Sequence, residues 1–332
     1  MDKILITGGA GYVGTVLTEH LLNKGHKISV IDLMIYGEDV LKKNPNLRII
    51  KGDIRDVDLL EKEIPMHDIV IHLACISNDP SFELDPKLGK SINLDAFKIL
   101  VEISKRSLIK KFIYASSSSV YGLKNEKNIH ENISLEPLTE YSKYKVECEL
   151  ILKKYESENF TTVTLRPATV CGYSPRQRLD VVVNILTNFA VNKKFIKVFG
   201  GDQLRPNLHI ADYCEAVDLL ILADKNKIKN EIFNVGYQNL SIMQIAEKVK
   251  KVVEKEFSSI NNIKIEREKT DDIRSYHINS DKIKKILNFT PKYSIEDAIL
   301  ELCNAFKKKL LTNTFDDDFY FNVKRLQNIQ AK

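Results

Sequence analysis

Apolar residues along the chain fall into short runs separated by stretches with helical spacing. Ile4-Leu5-Ile6 is followed by a glycine-rich turn and then by Val16-Leu17-Thr18-Glu19-His20-Leu21-Leu22, the pattern of a strand, a turn and an amphipathic helix. The same rhythm recurs with predicted strands at 27–31, 47–51, 69–72, 111–115 and 162–166, each leading into a helical or loop segment. Strands that alternate with crossovers predict an α/β fold, a doubly wound parallel sheet with helices on both faces. After about Cys171 the pattern loosens into a loop containing Pro175-Arg176-Gln177-Arg178, a helix, a short strand at 196–199 and mixed elements to the end. We expect a division at 172/173, with 173–332 forming mainly a smaller C-terminal α/β substrate-binding portion and a tail, and some later segments able to return to the first sheet. Asp316-Asp317-Asp318, set amid aromatics, marks that tail as a segment that packs either on the body or on another subunit.

The glycines give the first sheet a chemistry. Gly8-Gly9-Ala10-Gly11-Tyr12-Val13-Gly14 directly follows a strand and opens a helix, the setting in which glycines let a pyrophosphate approach a helix N-terminus. The run can be parsed through Gly9, Gly11 and Gly14 or through Gly8, Gly11 and Gly14. Either way residues 1–172 read as a Rossmann-type dinucleotide-binding domain. Asp32 ends the second strand, about twenty residues on, where a carboxylate accepts from the adenosine ribose hydroxyls and repels a 2′-phosphate, which favours NAD over NADP. Asp53, in Gly52-Asp53-Ile54-Arg55-Asp56 after the third strand, stands either at the adenine amino group or as a turn or helix cap.

A second constellation lies downstream. Tyr141-Ser142-Lys143-Tyr144-Lys145 puts Tyr141 and Lys145 at i and i+4 on one helix face. A phenol titrates near ~10 and is a weak base at neutral pH, but a nearby ammonium and a nicotinamide cation would lower that value. Upstream, the strand at 111–115 runs into Ser116-Ser117-Ser118-Ser119-Val120-Tyr121-Gly122 at the carboxyl edge of the sheet, where open parallel sheets bind ligands and a hydroxyl can relay a proton.

Composition narrows the choice. The 332 residues are 43% hydrophobic with a formal net charge of +5, and the basic residues are scattered in pairs and triplets, which argues for solvated helix faces and against a nucleic-acid partner. Five widely spaced cysteines without a CxxC pair suggest neither a disulfide framework nor a metal site, and fit a reducing cytoplasm. Without a signal-peptide pattern or an apolar run long enough to span a bilayer, the chain is expected to be cytoplasmic and off the membrane.

TGGAGYVG, Asp32, GDIRD, His72-Leu73-Ala74, the serine-rich VYG segment, YSKYK and Leu165-Arg166-Pro167 together resemble the extended short-chain dehydrogenase/reductase family, in particular its nucleotide-sugar epimerase/dehydratase branch, over essentially residues 1–300. The resemblance implies NAD held by Gly8, Gly11, Tyr12, Val13, Gly14, Asp32, Asp53, Ile54, Leu73, Ala74, Tyr141 and Lys145. It implies Ser117 on the sugar 4-hydroxyl, Tyr141 as the base and Lys145 as its partner on the nicotinamide ribose. Arg205 and Arg274 match positions that face the substrate diphosphate, for which a planar guanidinium fork is suited; Arg178 and Asn184 are further candidates for the substrate pocket. Two positions depart from the branch: Cys171 replaces a tyrosine often found there, and Thr169 replaces the asparagine usual in UDP-galactose 4-epimerases. Dehydratases of the branch carry an Asp-Glu pair where this chain has Ser118 and Ser119.

The expected activity is therefore epimerisation of a nucleotide-diphosphate sugar through transient oxidation at C4. A net dehydrogenase/reductase is the first alternative, and a 4,6-dehydratase or a non-catalytic dinucleotide sensor are the others. The resemblance also implies a homodimer built on the helical stretch near Ser91 and the Tyr141 helix, with Ile99, Leu100, Ile103, Val146 and Leu150 supplying apolar contacts.

Overall fold

The computed structural model describes residues 1–124, 126, 128–270, 275 and 277–329. Its seven-stranded sheet runs in the order β10-β6-β5-β4-β1-β2-β3, where β1 is Lys3–Thr7, β2 Lys27–Asp32, β3 Leu47–Lys51, β4 Ile69–His72, β5 Lys111–Ala115, β6 Thr161–Pro167 and β10 Glu231–Val235. All six pairings are parallel. Such strands are covered on both faces and so read as continuous apolar runs: Ile4, Leu5 and Ile6 are all fully buried. Helices Tyr12–Asn23 and Ile210–Leu222 pack together over one face. Ala96–Arg106 and Glu140–Tyr155 cover the other.

Chain order reverses at β1, which has β2 on one side and β4 on the other. The loops leaving the carboxyl ends of β1 and β4 diverge there and leave a crevice. Thr7 is in register with both Ile31 and His72, so the residues that follow these strands gather at one edge.

Two small sheets build the rest. β7 (Thr169–Cys171), β9 (Leu204–His209) and β11 (Gln238–Ser241) form one in the order β11-β9-β7, and β8 (Phe195–Phe199) pairs with β12 (Lys264–Glu268) in the other. Helices Val182–Lys193, Ile242–Glu256 and Ile295–Lys307 enclose a separate apolar core there, with Val183, Ile245, Val249 and Ile299 fully buried. The segment after 311 then doubles back: Leu311 and Tyr320 pack with Leu179 and Leu302, and the helix Asn322–Asn328 reaches the first sheet's edge.

The expected dimer contacts need correction. Leu100 and Ile103 are 0% and 2% exposed, inside this chain's own core. The stretch near Ser91 begins as a π-helical turn, Ser91–Asp95, and the following helix turns Phe97, Leu100, Val101 and Ser104 toward the sheet, leaving Lys98, Glu102 and Arg106 outside. Ile99 and Val146 are half-buried; of the five residues Leu150 is the exposed one. No helix among the described residues is long and apolar enough to cross a membrane.

Candidate active site

A cavity of about 280 Å³ occupies the crevice beside β1. Its floor is the glycine turn. Gly8 has φ +77°, and a Cβ there would lie 2.5 Å from the Ala74 nitrogen, so the turn can sit against the loop after β4 only without a side chain. A Cβ on Gly14 would lie 2.3 Å from the Gly8 oxygen, which fixes glycine where the helix meets the turn. Gly11 precedes the first helical residue and faces the cavity, and a Cβ there would meet only the Gly8 oxygen at 3.2 Å. Its bareness leaves room for a group approaching the helix N-terminus.

At one end stands Asp32, whose Oδ2 accepts from the Ala10 amide at 3.0 Å and Oδ1 from the Met34 amide at 2.9 Å. Burial pushes its carboxyl pKa up, against the pull of those two amides. Asp53 and Ile54 line the same end. The Asp53 carboxylate is also gripped by Arg55, with contacts from 2.6 to 3.1 Å; burial raises its pKa, but the Arg55 hydrogen bonds and charge outweigh that and leave it lowered. Leu73 and Ala74 form the wall after β4, and Tyr12 and Val13 line the floor. The donors, acceptors and bare glycine cradle thus fit an adenine dinucleotide with free ribose hydroxyls.

At the other end are Tyr141 and Lys145, both lining the cavity with Ala115 and Ser116. Thr139 caps their helix in a capping box with Ser142, and its hydroxyl also donates to Asp79 at 2.6 Å. Lys145 Nζ donates to the Ala115 carbonyl at 2.7 Å and stands 5.7 Å from the Tyr141 ring centroid. Burial holds the Tyr141 phenol well above its ordinary pKa, Cys75 and Asp79 adding to the rise while Arg178 and Ser117 oppose it. Ser117 also shares a 2.9 Å hydrogen bond with Ser119 and accepts from the Ser119 amide. Beneath them Ser116 donates to Glu149, which is paired with Arg166. Across the cavity, Asn93 in the π-helical turn clasps Ile76 at both its amide and its carbonyl, fixing the loop after β4.

The substrate-pocket candidates are dispersed. Arg178 lines the cavity, paired with Asp180 at 2.7 Å and near Ser77. Asn184 does not belong there: it is fully buried and bonds the Gly172 backbone, the Arg178 carbonyl and the Tyr12 hydroxyl, so that it props the loop carrying Arg178. Arg205 lies on β9 opposite Leu240, apart from the residues lining this cavity, with Nη1 on the Leu204 carbonyl. Arg274 lies outside the described residues. Cys171 is fully buried, and burial pushes its thiol pKa up, which leaves it inert. Sequence patterns did not reveal Tyr36, Ser77, Arg176, Asn322 and Leu326, all of which line the cavity. The repeated arginines of the 175–178 segment and the aromatic-rich tail were the available signals.

A glycine-floored crevice at the reversal of a parallel sheet, with an aspartate at one end and a Ser-Tyr-Lys group at the other, defines a nicotinamide-dinucleotide enzyme of the short-chain dehydrogenase/reductase type. The chain belongs to the NAD dependent epimerase/dehydratase family, whose model matches residues 4–236. It is 28% identical to a UDP-glucuronate 4-epimerase of Thermodesulfobacterium geofontis, with 93% of this chain and 98% of the relative covered. It is 25% identical to a dTDP-glucose 4,6-dehydratase of Streptomyces niveus, covering 92% and 93%. Among solved structures it resembles the UDP-glucuronic acid 4-epimerase of Bacillus cereus in complex with UDP-glucuronic acid and NAD, with TM-score 0.82, 26% identity, and 92% and 99% of the two chains covered.

Proposed function

We propose that this chain is an epimerase of nucleotide-diphosphate sugars that works by transient oxidation at the sugar C4. The observation that carries this reading is that Tyr141 and Lys145 line, beside Ser116, one end of the same cavity whose far end holds Asp32. NAD bound there supplies reversible hydride acceptance. Ser117 then orients the 4-hydroxyl, and Tyr141 takes its proton. Lys145, fixed on the Ala115 carbonyl, keeps a positive charge beside the phenol and favours its ionised form. After the ketosugar has turned over, C4 regains its hydride on the opposite face while Tyr141 returns the proton to the oxygen, which gives the epimer. The UDP-glucuronate 4-epimerase relative supports this reading.

The dehydratase relative favours a second reading, 4,6-elimination, which begins with the same oxidation. Elimination needs a base at C5 and an acid at C6. Ser118 is buried and Ser119 is hydrogen-bonded to Ser117, and neither carries a carboxyl group. We therefore place epimerisation first.

The test is a panel of nucleotide sugars in deuterated water, followed by NMR. We expect interconversion of C4 epimers without NADH accumulation and a loss of about 10²–10⁴-fold in Tyr141→Phe, which should still bind NAD. Sustained NADH formation would point to net redox turnover. Deuterium at C5 with a new C6 methyl signal would establish the dehydratase instead.

A further inference from the structure

The arginine loop and the C-terminal helix meet at one residue. Asn322 Oδ1 accepts from the Tyr36 hydroxyl at 2.9 Å and from Arg176 Nη2, its Nδ2 donates to Ser77 at 2.9 Å, and its amide donates to Asp180 at 2.9 Å. It thereby ties together the loop after β2, the loop after β4 and the 172–181 loop. Each of Tyr36, Ser77, Arg176 and Asn322 lines the dinucleotide cavity. Three contacts hold this junction down: Arg325 Nε donates to the Ile35 carbonyl at 2.7 Å, Arg325 Nη1 pairs with Asp318 at 3.0 Å, and Phe319 meets the Tyr36 ring edge-on.

Arg176 is the group this junction positions. It is 1% exposed, with its guanidinium carbon 3.5 Å from the Tyr36 ring centroid. Its Nε and Nη1 are buried and have no hydrogen-bond partner among the described residues. A guanidinium held in place with two unmet donors at the wall of a ligand cavity calls for an anionic oxygen from the ligand, because buried donors left without an acceptor are costly. Tyr36, on whose ring it lies, follows Asp32 by four residues and lines the cavity with it, which places Arg176 at the adenosine end.

We propose that residues 315–329 are part of the dinucleotide site: Asn322 holds Arg176 against Tyr36 so that Nε and Nη1 bind a phosphate oxygen of the cofactor's ADP half. The C-terminal segment then acts as a clamp that slows the loss of NAD, and Asn322 is a positioning residue.

The test uses the full chain, with NAD, ADP and adenosine as probes in calorimetry and with NAD release from the holoprotein timed after dilution. Arg176→Gln should weaken ADP and NAD by about 10- to 100-fold while adenosine binds within about twofold of the original, since adenosine lacks the phosphate. Arg176→Lys should recover part of the ADP affinity. Asn322→Ala should show the same preference for hurting ADP over adenosine at about three- to tenfold, should speed NAD release, and should add little once Arg176 is already Gln. If Arg176→Gln does not fold, Arg176→Lys and Asn322→Ala decide by the same comparison of ADP with adenosine. The proposal is overturned by equal losses for adenosine and ADP, by unchanged ADP and NAD affinity, or by Asn322→Ala and Arg176→Gln effects that multiply in full.

Discussion

Lys145 stands between the Tyr141 ring and a buried aromatic stack. It lies 5.7 Å from the Tyr141 ring centroid, and 5.0 Å from the Tyr114 ring centroid it stands over the aromatic stack that contains His72. His72 is 2% exposed, with Nδ1 2.7 Å from Thr7 Oγ1. Burial, with a smaller contribution from Lys145, pushes its pKa from 6.5 down to about 3. Between those values the unfolded histidine binds a proton that the folded one refuses, so stability rises with pH across this window and falls as pH drops below 6.5 toward 3. The slope from this one group approaches about 1.4 kcal/mol per pH unit. Urea midpoints measured from about pH 4.5 to 6.5 should therefore fall less steeply on acidification in His72→Gln than in the parent; parallel slopes would show that His72 does not titrate this way. The sequence made His72 legible as part of a motif, and Tyr141, Lys145 and Ser117 as a group, because spacing along a helix and position at a strand end are local properties. Asn184 was misplaced because sequence alone does not say whether a buried amide faces a ligand or, as here, the neighbouring backbone.

The helix Glu140–Tyr155 carries Tyr141, Lys145 and Glu149 along one inward face, at successive i+4 spacings. Its last member anchors the site from below. Glu149 accepts from Ser116 Oγ at 2.5 Å and from Arg166 Nε and Nη2 at 3.0 and 2.6 Å, while Arg166 Nη1 donates to the Tyr121 hydroxyl at 2.9 Å. Burial would lower the Arg166 pKa, but its bonds to Glu149 outweigh that and hold it above its ordinary value. Both partners are nearly inaccessible, 3% and 5% by side chain, so removing one charge strands the other. Glu149→Gln should cost roughly 3–5 kcal/mol in urea unfolding, and Glu149→Leu combined with Arg166→Met should be the more stable of the two. If the single change alters stability by less than about 1 kcal/mol, the pair does not fasten helix to strand as described. Leu165-Arg166-Pro167 was visible as a motif without a role; the role emerges only where β6 brings Arg166 beneath a helix that begins at Glu140, 26 residues earlier. Strands β9 and β10 escaped the periodicity for a related reason. β9 buries Pro206, Asn207, Leu208 and His209 together, and β10 is a five-residue run whose place beside β6 no local pattern encodes.

At the scale of the whole chain, the tail is what the sequence left open, and the structure has it cross from the second apolar core back to the dinucleotide crevice. Tyr320 and Leu311 root it against Leu179 and Leu302, and Asn322 and Arg325 then bind the loops after β2 and β4. A tail rooted at one end on Leu179 and Leu302 and tied at the other to a ligand cavity must report on the ligand, since whatever settles Arg176 and Tyr36 also settles Asn322. NAD at a hundred times its dissociation constant stabilises the folded state by about 2.7 kcal/mol in all regions that open only by global unfolding. Segments that open locally respond only if they touch the site. Hydrogen exchange separates the two cases. Adding NAD should slow exchange in the glycine turn at 8–14, in the loop at 172–181 and in residues 315–327 together. In Asn322→Ala the glycine turn should keep its protection, because its contacts with the cofactor are its own, while the response of 315–327 should largely vanish. A tail that exchanges at the same rate with and without NAD in the parent chain would mean that its contacts with Tyr36 and Arg176 fasten the fold but not the cofactor.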